Sequence, residues 1–264
     1  MYIKDYEDFK IVILEMTGIN LSAYKERQMK RRVESLIKKN NIEDFNSYVK
    51  ALNVDKNIYN EFINYLTINV SEFYRNPAQW EVLEEEVIPM VLKNTSGKLK
   101  IWSSACSTGE EPYSLTMMLT KFFPLADIRI IATDIDEGAI SKAQIGLYNP
   151  KGMEGLPKTF LAKFFTQQGN YYKINDEIKN CVTFSKLNLL SDQFPKDCDL
   201  ILCRNVLIYF TEEAKVGIYE NFHKALKTDG ILFVGSTEQI IMPNRYNLKP
   251  VRTFFYQNNV STTI

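Results

Sequence analysis

Residues 98–115, KLKIWSSACSTGEEPYSL, constrain the fold more than any other part of the chain. An apolar run that ends at Trp102 is followed by small or polar residues at 103–109, where a backbone can approach a ligand closely. Glu110 and Glu111 come next, and carboxylates there suit the positive end of a helix dipole. A strand, a tight turn and a helix in this order are typical of a nucleotide-type cofactor site.

The second strand of such a unit is predicted at residues 128–133 and ends at Asp134. An acid at this strand end is placed to hold both hydroxyls of a ribose. The preceding turn has a single glycine, Gly109, with two carboxylates behind it that would repel a pyrophosphate. The pattern favours a cationic ligand with a ribose and no phosphate, which S-adenosylmethionine satisfies. An ordinary strand-to-helix turn with capping acids is the alternative.

Composition excludes several other classes of protein. The 264 residues suffice for one large domain with a smaller addition, and the formal net charge of zero gives no argument for nucleic acid or membrane binding. The four cysteines lack metal-type spacing and His223 is the only histidine, so we expect no metal site and no catalytic histidine. Without a signal-type or membrane-spanning apolar run, the chain is predicted to be cytoplasmic, with reduced thiols.

Hydrophobic periodicity changes once along the chain. Residues 1–90 show helical spacing only, whereas strands and helices alternate from residue 98, which predicts an α/β fold with a mostly parallel sheet. Residues 147–180 interrupt the alternation with a predicted hairpin around 167–170, and residues 246–257 could supply two closing strands around Pro250. Strands are predicted near 98–104, 128–133, 182–187, 199–203 and 231–235, and helices near 110–122, 137–146 and 212–227.

Two polar clusters follow later strands, at the sheet edge where doubly wound folds bind ligands. Asn188 could pair with the edge of an adenine and Leu189 could cover it, although Asn188 alone is equally typical of a turn. Arg204 and Asn205 follow the next strand, and Tyr209 lies five residues after Arg204. A guanidinium at the end of a core strand is costly unless it is paired or meets an anion.

The segment from Asn69 to Trp80, NVSEFYRNPAQW, precedes the sheet. Phe73 and Tyr74 are either core aromatics or covers for the cofactor. Arg75 immediately precedes the expected helix start and could face an anionic substrate.

With SEFYRN, TGEEPYS, ATDID, CRNVLIYF and GILFVGSTE in this order, the chain resembles the CheR-type chemotaxis receptor methyltransferases over nearly its whole length. The resemblance implies a Rossmann-like class I methyltransferase sheet in residues 91–264, with a small inserted β-subdomain at about 147–181. It implies a small all-helical, receptor-facing N-terminal domain and linker in residues 1–90. The implied reaction transfers the methyl group of S-adenosylmethionine to glutamate side chains on cytoplasmic chemoreceptor helices, giving glutamyl methyl esters and S-adenosylhomocysteine.

The resemblance also implies site residues. Arg75 and Tyr209 would lie beside the transferring methyl group. Tyr74 and Ser71 stand where members often have phenylalanine and threonine, which leaves the chemistry intact. Which of Glu110 and Glu111 contacts the cofactor stays open. The implied cofactor-binding residues are Asn69, Ser71, Arg75, Ala105, Glu110, Glu111, Asp134, Asn188, Leu189, Arg204 and Asn205.

Residues 22–40 contain seven basic residues against two acids. Helical spacing places Arg27, Lys30, Arg31 and Lys38 on part of the exposed face. A solvated helix or a nucleic-acid contact is the general interpretation, whereas the resemblance favours acidic receptor helices. The resemblance further implies a monomer that binds chemoreceptors, reaches the membrane only through them and does not bind nucleic acid. The compact turn at 167–170 weighs against a receptor-peptide tether at the hairpin, and the use of such a tether stays open. The rival hypotheses are a nucleic-acid methyltransferase and a non-catalytic cofactor-binding module.

Overall fold

The computed structural model describes residues 2–95 and 97–259, which form two compact units. The first unit comprises the chain up to Asn69 together with Tyr209–Gly217, and the second comprises Val70–Ile208 and the chain from Ile218 on. No helix within the described ranges is both long enough and apolar enough to span a membrane.

The first unit is helical. Aspartate side chains accept hydrogen bonds from backbone N–H groups at the starts of three of its helices: Asp5 for the first, Asp44 for the third and Asp55 for the fourth. Its core contains Phe9, whose ring centroid lies 5.0 Å from Phe45. The helices are α1 Tyr6–Thr17, α2 Glu26–Lys39, α3 Phe45–Val54 and α4 Lys56–Leu66.

The elements that follow begin with one helical stretch, in which a π-helical turn at Leu83–Val87 separates α5 from α6. In chain order the elements are α5 Pro77–Val82, α6 Ile88–Asn94, β1 Ile101–Ser103, α7 Glu110–Leu119, β2 Ile130–Asp134, α8 Glu137–Ile145, β3 Leu147–Tyr148, α9 Lys158–Phe164, β4 Phe165–Gln168, β5 Tyr171–Ile174, α10 Asp176–Lys179, β6 Val182–Lys186, β7 Cys198–Cys203, α11 Glu212–Ala225, β8 Leu226–Val234, β9 Leu248–Arg252 and β10 Phe255–Asn258.

The main sheet has the strand order β6-β2-β1-β7-β8-β10-β9. β1 pairs in parallel with β2 and β7, as β6 does with β2 and β8 with β7. β10 pairs antiparallel with both β8 and β9 and so runs opposite to the other six described strands of this sheet. The strand order reverses between β1 and β7, and open α/β sheets bind ligands outside the carboxyl ends of the strands at such a point. The predicted α/β fold with a mostly parallel sheet is confirmed.

Apolar residues cover both faces of this sheet. Trp102 packs against Phe194 and Phe222, with ring centroids at 5.0 and 5.7 Å. Its neighbour Ile101, which points to the opposite face, belongs to a buried cluster with Leu115 and other residues of the helices before and after β1. All six residues of β7 are buried, as expected for a central parallel strand.

The predicted strand near 231–235 is longer than expected, because β8 begins at Leu226. Lys227 to Gly230 resemble a turn in sequence, and Asp229 has a φ of +62°. These residues form an irregularity within the strand, where the β7–β8 pairing shifts register between Cys198 and Leu200.

The predicted hairpin in the insertion is present. β4 and β5 pair antiparallel across a turn in which Gly169 has a φ of +59°, and β3 adds a third strand to this small sheet. The two predicted closing strands are β9 and β10, with Pro250 inside the edge strand β9, where a missing N–H is tolerated.

Candidate functional site

The loop 103–109 continues from β1 and is hydrogen-bonded to the carboxyl ends of the two neighbouring strands. Ser104 N–H donates to the Leu202 carbonyl of β7 at 2.8 Å, and Cys106 N–H donates to the Thr133 carbonyl of β2 at 2.9 Å. Gly109 has a φ of +95°, and a Cβ added there would lie 2.8 Å from Ala143 Cβ. The loop therefore needs glycine at this position for both its backbone conformation and its close packing.

Asp134 at the end of β2 is a buried carboxylate held by this loop. Its Oδ2 accepts from Ser107 N–H at 2.8 Å and its Oδ1 accepts from Asp136 N–H at 3.0 Å. Burial raises the pKa of Asp134 to about 6, so the group is ionised at neutral pH. Because a carboxylate has about four acceptor positions, it can accept further hydrogen bonds from a ribose.

Glu110 and Glu111 open α7 as predicted and point to different neighbours. Glu110 accepts from Thr108 Oγ1 at 2.7 Å and also interacts with the Ser71 hydroxyl. Glu111 accepts from Ser103 Oγ at 2.8 Å and pairs with Arg204 at 3.3 Å. Burial is the largest influence on both glutamates and raises the pKa of each. A cationic ligand beside them would relieve this penalty.

Arg204 is paired, as the sequence required, and its side chain is only 2% exposed. Besides the ion pair with Glu111, its Nη2 donates to the Arg75 carbonyl at 2.7 Å and to Gln79 Oε1 at 3.0 Å. The guanidinium lies 4.6 Å from the Phe233 ring centroid. Arg204 therefore joins three separate parts of the second unit: the end of β7, the start of α7 and the segment before α5.

Arg75 lies at the edge of this cluster. Its half-buried side chain donates from Nη1 to the Val70 carbonyl at 3.1 Å, and its backbone carbonyl accepts from both Arg204 and Trp80. Phe73 and Tyr74 are core residues, with Phe73 packed edge-on against Tyr148 at 4.8 Å. The core interpretation of the two aromatics therefore applies.

Asn188 and Leu189 follow β6, next to Asp134, whose carbonyl accepts from Leu187 N–H at 3.0 Å. Asn188 Oδ1 accepts from Leu190 N–H at 3.0 Å, which is the behaviour of a turn residue, and Leu189 is buried. The role of Asn188 towards an adenine stays a prediction. Ala105, in the loop 103–109, is half-buried.

Asn205 is bound by Glu238, a residue to which the sequence motifs assigned no role. It has a φ of +62°, and its N–H donates to Glu238 Oε2 at 2.6 Å. Glu238 is 5% exposed and follows β8 in the GSTE segment. The rule that picked out Arg204, a polar residue just after a core strand, would also have found Glu238.

The remaining predicted site residues belong to the first unit. The Tyr209 carbonyl accepts from Lys25 N–H at 2.9 Å, just before the start of α2. The Asn69 side-chain amide donates to Thr67 Oγ1 at 3.1 Å. Their roles at the cofactor stay predictions.

Helix α2 presents most of its predicted basic face to solvent. Arg27, Arg31 and Lys38 are exposed, whereas Lys30 is half-buried with its ammonium 5.8 Å from the Tyr6 ring centroid. The apolar side of the helix is buried as predicted, through Met29, Val33, Leu36 and Ile37. Binding of a partner by the basic residues stays a prediction.

The second unit fits S-adenosylmethionine. Asp134 offers acceptor positions for ribose hydroxyls, and the buried carboxylate of Glu110 and the mostly buried carboxylate of Glu111 suit an ammonium or a sulfonium. The same carboxylates oppose a phosphate at the start of α7.

Comparison with known proteins agrees with this chemistry. The family description "CheR methyltransferase, SAM binding domain" matches residues 69–255, and "CheR methyltransferase, all-alpha domain" matches residues 4–67. The chain is 43% identical to a chemotaxis protein methyltransferase of Listeria innocua over 253 residues, 96% of this chain and 97% of that protein. It is 32% identical to the chemotaxis protein methyltransferase of Escherichia coli K12 over 249 residues, 90% of this chain and 85% of that protein.

Proposed function

The chain belongs to the CheR family of S-adenosylmethionine-dependent methyltransferases, and from this premise we propose that it methylates glutamate side chains of chemoreceptors. The products would be glutamyl 5-O-methyl esters and S-adenosylhomocysteine, and the modification would serve sensory adaptation in chemotaxis. The observation that carries the proposal is the arrangement of Arg75. Its backbone carbonyl accepts from Arg204, which pairs with Glu111, so the residue whose guanidinium suits an anionic acceptor is tied through Arg204 to an acid that suits a cationic donor.

The cofactor would be held by residues from several strand ends. Asp134 would accept hydrogen bonds from the ribose, Glu111 and Glu110 would face the methionine end, and the backbone of Ala105 would border it. Ser71, Asn188, Leu189, Arg204 and Asn205 would complete the wall. Asn69, which the family resemblance assigns to the cofactor, is proposed as a further binding residue. When bound, S-adenosylmethionine supplies a methyl group on a positively charged sulfur.

The acceptor needs little activation. A glutamate carboxylate is already ionised near pH 7, so its attack needs no general base, which agrees with a chain whose only histidine is His223. Arg75 would orient the carboxylate. Too strong a pair would stabilise the ground state more than the transition state, in which that negative charge is being lost. Tyr209 would place a hydroxyl beside the acceptor oxygen or the methyl group.

The exposed basic face of α2 supports an acidic protein partner. Arg27, Arg31 and Lys38 would contact acidic receptor helices, with Lys30 contributing from its half-buried position. Residues 1–90 would then be the receptor-facing domain and linker, and residues 91–264 the catalytic domain, with the inserted β-subdomain at about 147–181. We further propose a cytoplasmic monomer that reaches the membrane only through its receptors and does not bind nucleic acid.

The test is incubation with tritiated S-adenosylmethionine and the cytoplasmic fragment of a chemoreceptor. We expect base-labile label on the receptor, as a carboxyl ester gives. Label on RNA would select a nucleic-acid methyltransferase, and tight cofactor binding without transfer would select a regulatory module.

Two arginine variants, one at the proposed site and one away from it, are compared in this assay. Arg75→Ala should lower turnover by at least about a hundredfold, since it removes the group that aligns the acceptor. Arg245→Ala removes an exposed arginine of the same unit and should leave turnover unchanged. Receptor methylation by Arg75→Ala near the unaltered rate would refute the role given to Arg75.

A further inference from the structure

Glu238 is a buried carboxylate that binds backbone N–H groups from two neighbouring strand ends. Its Oε2 accepts from Asn205 N–H at 2.6 Å and from Gly235 N–H at 2.8 Å, and its Oε1 accepts from Ile208 N–H at 3.2 Å. The Leu207 N–H also interacts with it. The carboxylate thus fixes the turn after β7 to the turn after β8.

The backbone around Glu238 is shaped to receive a carboxylate. Asn205 has a φ of +62°, and the N–H groups of Asn205 and Ile208 converge on one anion. A Cβ added to Gly235 would lie 2.4 Å from Glu238 Oε2 and 2.8 Å from Asn205 N, so glycine is required for the two turns to approach. The contacts are short, and the carboxylate is 5% exposed.

The segment that Glu238 holds carries two of the proposed site residues. Arg204 and Asn205 are in the turn itself. The charge of Glu238 also reaches the cofactor side of the cluster. Burial raises the pKa of Glu111, with repulsion from Glu238 adding to the shift, and Glu238 attracts the Arg204 guanidinium.

We propose that Glu238 is a positioning residue of the methyl-transfer site, whose carboxylate fixes the backbone of residues 205–208 and so places Arg204 and Asn205. The inference rests on the proposed function, in which these residues face the cofactor. Glu238 acts through the backbone of its neighbours and is not itself a catalytic residue.

Glu238→Gln is the sharpest test because it keeps the size and shape of the side chain. Both carboxylate oxygens accept N–H bonds, so either orientation of the new amide turns an NH2 group towards a backbone donor. We expect the dissociation constant of S-adenosylhomocysteine to rise at least about tenfold, and the kcat for receptor methylation to fall about a hundredfold. Glu238→Asp keeps the carboxylate, so its kcat should be at least about tenfold higher than the kcat of Glu238→Gln.

The comparison separates positioning from general stability. Calorimetric titration with S-adenosylhomocysteine counts the folded sites, and kcat is then expressed per folded site. A stability effect alone would lower the number of sites and leave kcat per site unchanged. Thr237→Ala, in the same turn but with an exposed side chain, is the control and should match the unaltered protein.

Wild-type affinity and kcat within about twofold in Glu238→Gln would overturn the inference. If Glu238→Gln does not fold, Gly235→Ala presses a methyl group against the same oxygen and should give the same losses per folded site. The titration needs no receptor. If the unaltered protein binds S-adenosylhomocysteine but does not label the receptor, the proposed function fails, whereas the affinity changes still decide the role of Glu238.

Discussion

Replacing Arg204 with methionine should expose how much of the second unit depends on the buried pair with Glu111. The Arg204 side chain is 2% exposed and the Glu111 side chain is 12% exposed. Arg204→Met leaves the Arg75 carbonyl with its bond from Trp80, but it leaves the Glu111 carboxylate without its cation. Breaking a buried pair by removing one partner costs about 3–5 kcal/mol, and we expect the free energy of unfolding to fall by this amount.

A double-mutant cycle separates the charge effect from lost packing. Glu111→Gln alone leaves the Arg204 guanidinium without its carboxylate and should also cost about 3–5 kcal/mol. In the double variant neither charge is left uncompensated, so the loss should reflect neutral hydrogen bonds and contacts, about 2–3 kcal/mol. The two single losses should therefore exceed the loss in the double variant by at least about 3 kcal/mol.

Tryptophan fluorescence during urea unfolding measures the right part of the chain. Trp80 and Trp102 are the only tryptophans, and both are buried in the second unit. Unfolding should be measured at pH 8, because burial raises the pKa of Glu111 and a higher pH favours its charged form. If the sum of the two single-variant losses equals the double-variant loss within about 0.5 kcal/mol, the coupling between Arg204 and Glu111 is refuted.

The same variants give a pH dependence whose sign follows from Glu111. Burial raises the pKa of Glu111 in the folded protein, and removing Arg204 removes an influence that lowers it. A carboxyl whose folded pKa is raised loses stability as the pH rises through that pKa. Arg204→Met should therefore be less destabilising at pH 5.5 than at pH 8, because a protonated Glu111 has no charge to compensate.

Three further perturbations test other parts of the site. Lowering the pH through about 6 protonates Asp134, so the affinity for S-adenosylhomocysteine should fall towards tenfold per pH unit in calorimetry, and Asp134→Asn should bind weakly without this dependence. Gly109→Ala should lower the free energy of unfolding by about 2–4 kcal/mol in urea, from left-handed strain and overpacking against Ala143, whereas Gly152→Ala, with open space around it, should not. Charge reversal at Arg27 and Arg31 should slow receptor methylation and leave cofactor affinity unchanged, and an unaltered rate would contradict the docking role.

The parts of the fold that sequence predicts well are those with local signals. The stretch from β1 through α7 to Asp134 has a buried strand, a turn of small residues, a helix start and a strand-end acid within 34 residues. Each signal depends on neighbours in the chain, so the spacing is readable without the structure. The start of β8 was harder to predict from sequence, because Asp229 and Gly230 are typical turn residues. They lie within a strand because Leu226 and Ile231, on either side of them, pair with the central strand β7.

The site could be predicted only in part, because its contacts join residues that are far apart in the sequence. Sequence indicated that Arg204 needs an anion or an acceptor, but its bonds to Glu111 and to the Arg75 carbonyl join positions 93 and 129 residues apart. No local pattern records such a contact. The aromatics Phe73 and Tyr74 illustrate the same limit, since both core and covering positions suit them and only the fold places them in the core.

The two acids at the start of α7 decide between classes of nucleotide cofactor more firmly than the turn does. Glu110 and Glu111 occupy the start of α7, where a dinucleotide site would offer free N–H groups to a pyrophosphate. Their raised pKa values show that burial already disfavours their charges, even with Arg204 beside Glu111. A phosphate there would add repulsion to an existing penalty, whereas a ligand bearing an ammonium and a sulfonium would offset it. The strand-turn-helix unit alone fits either ligand, and the buried carboxylates restrict it to the cationic one.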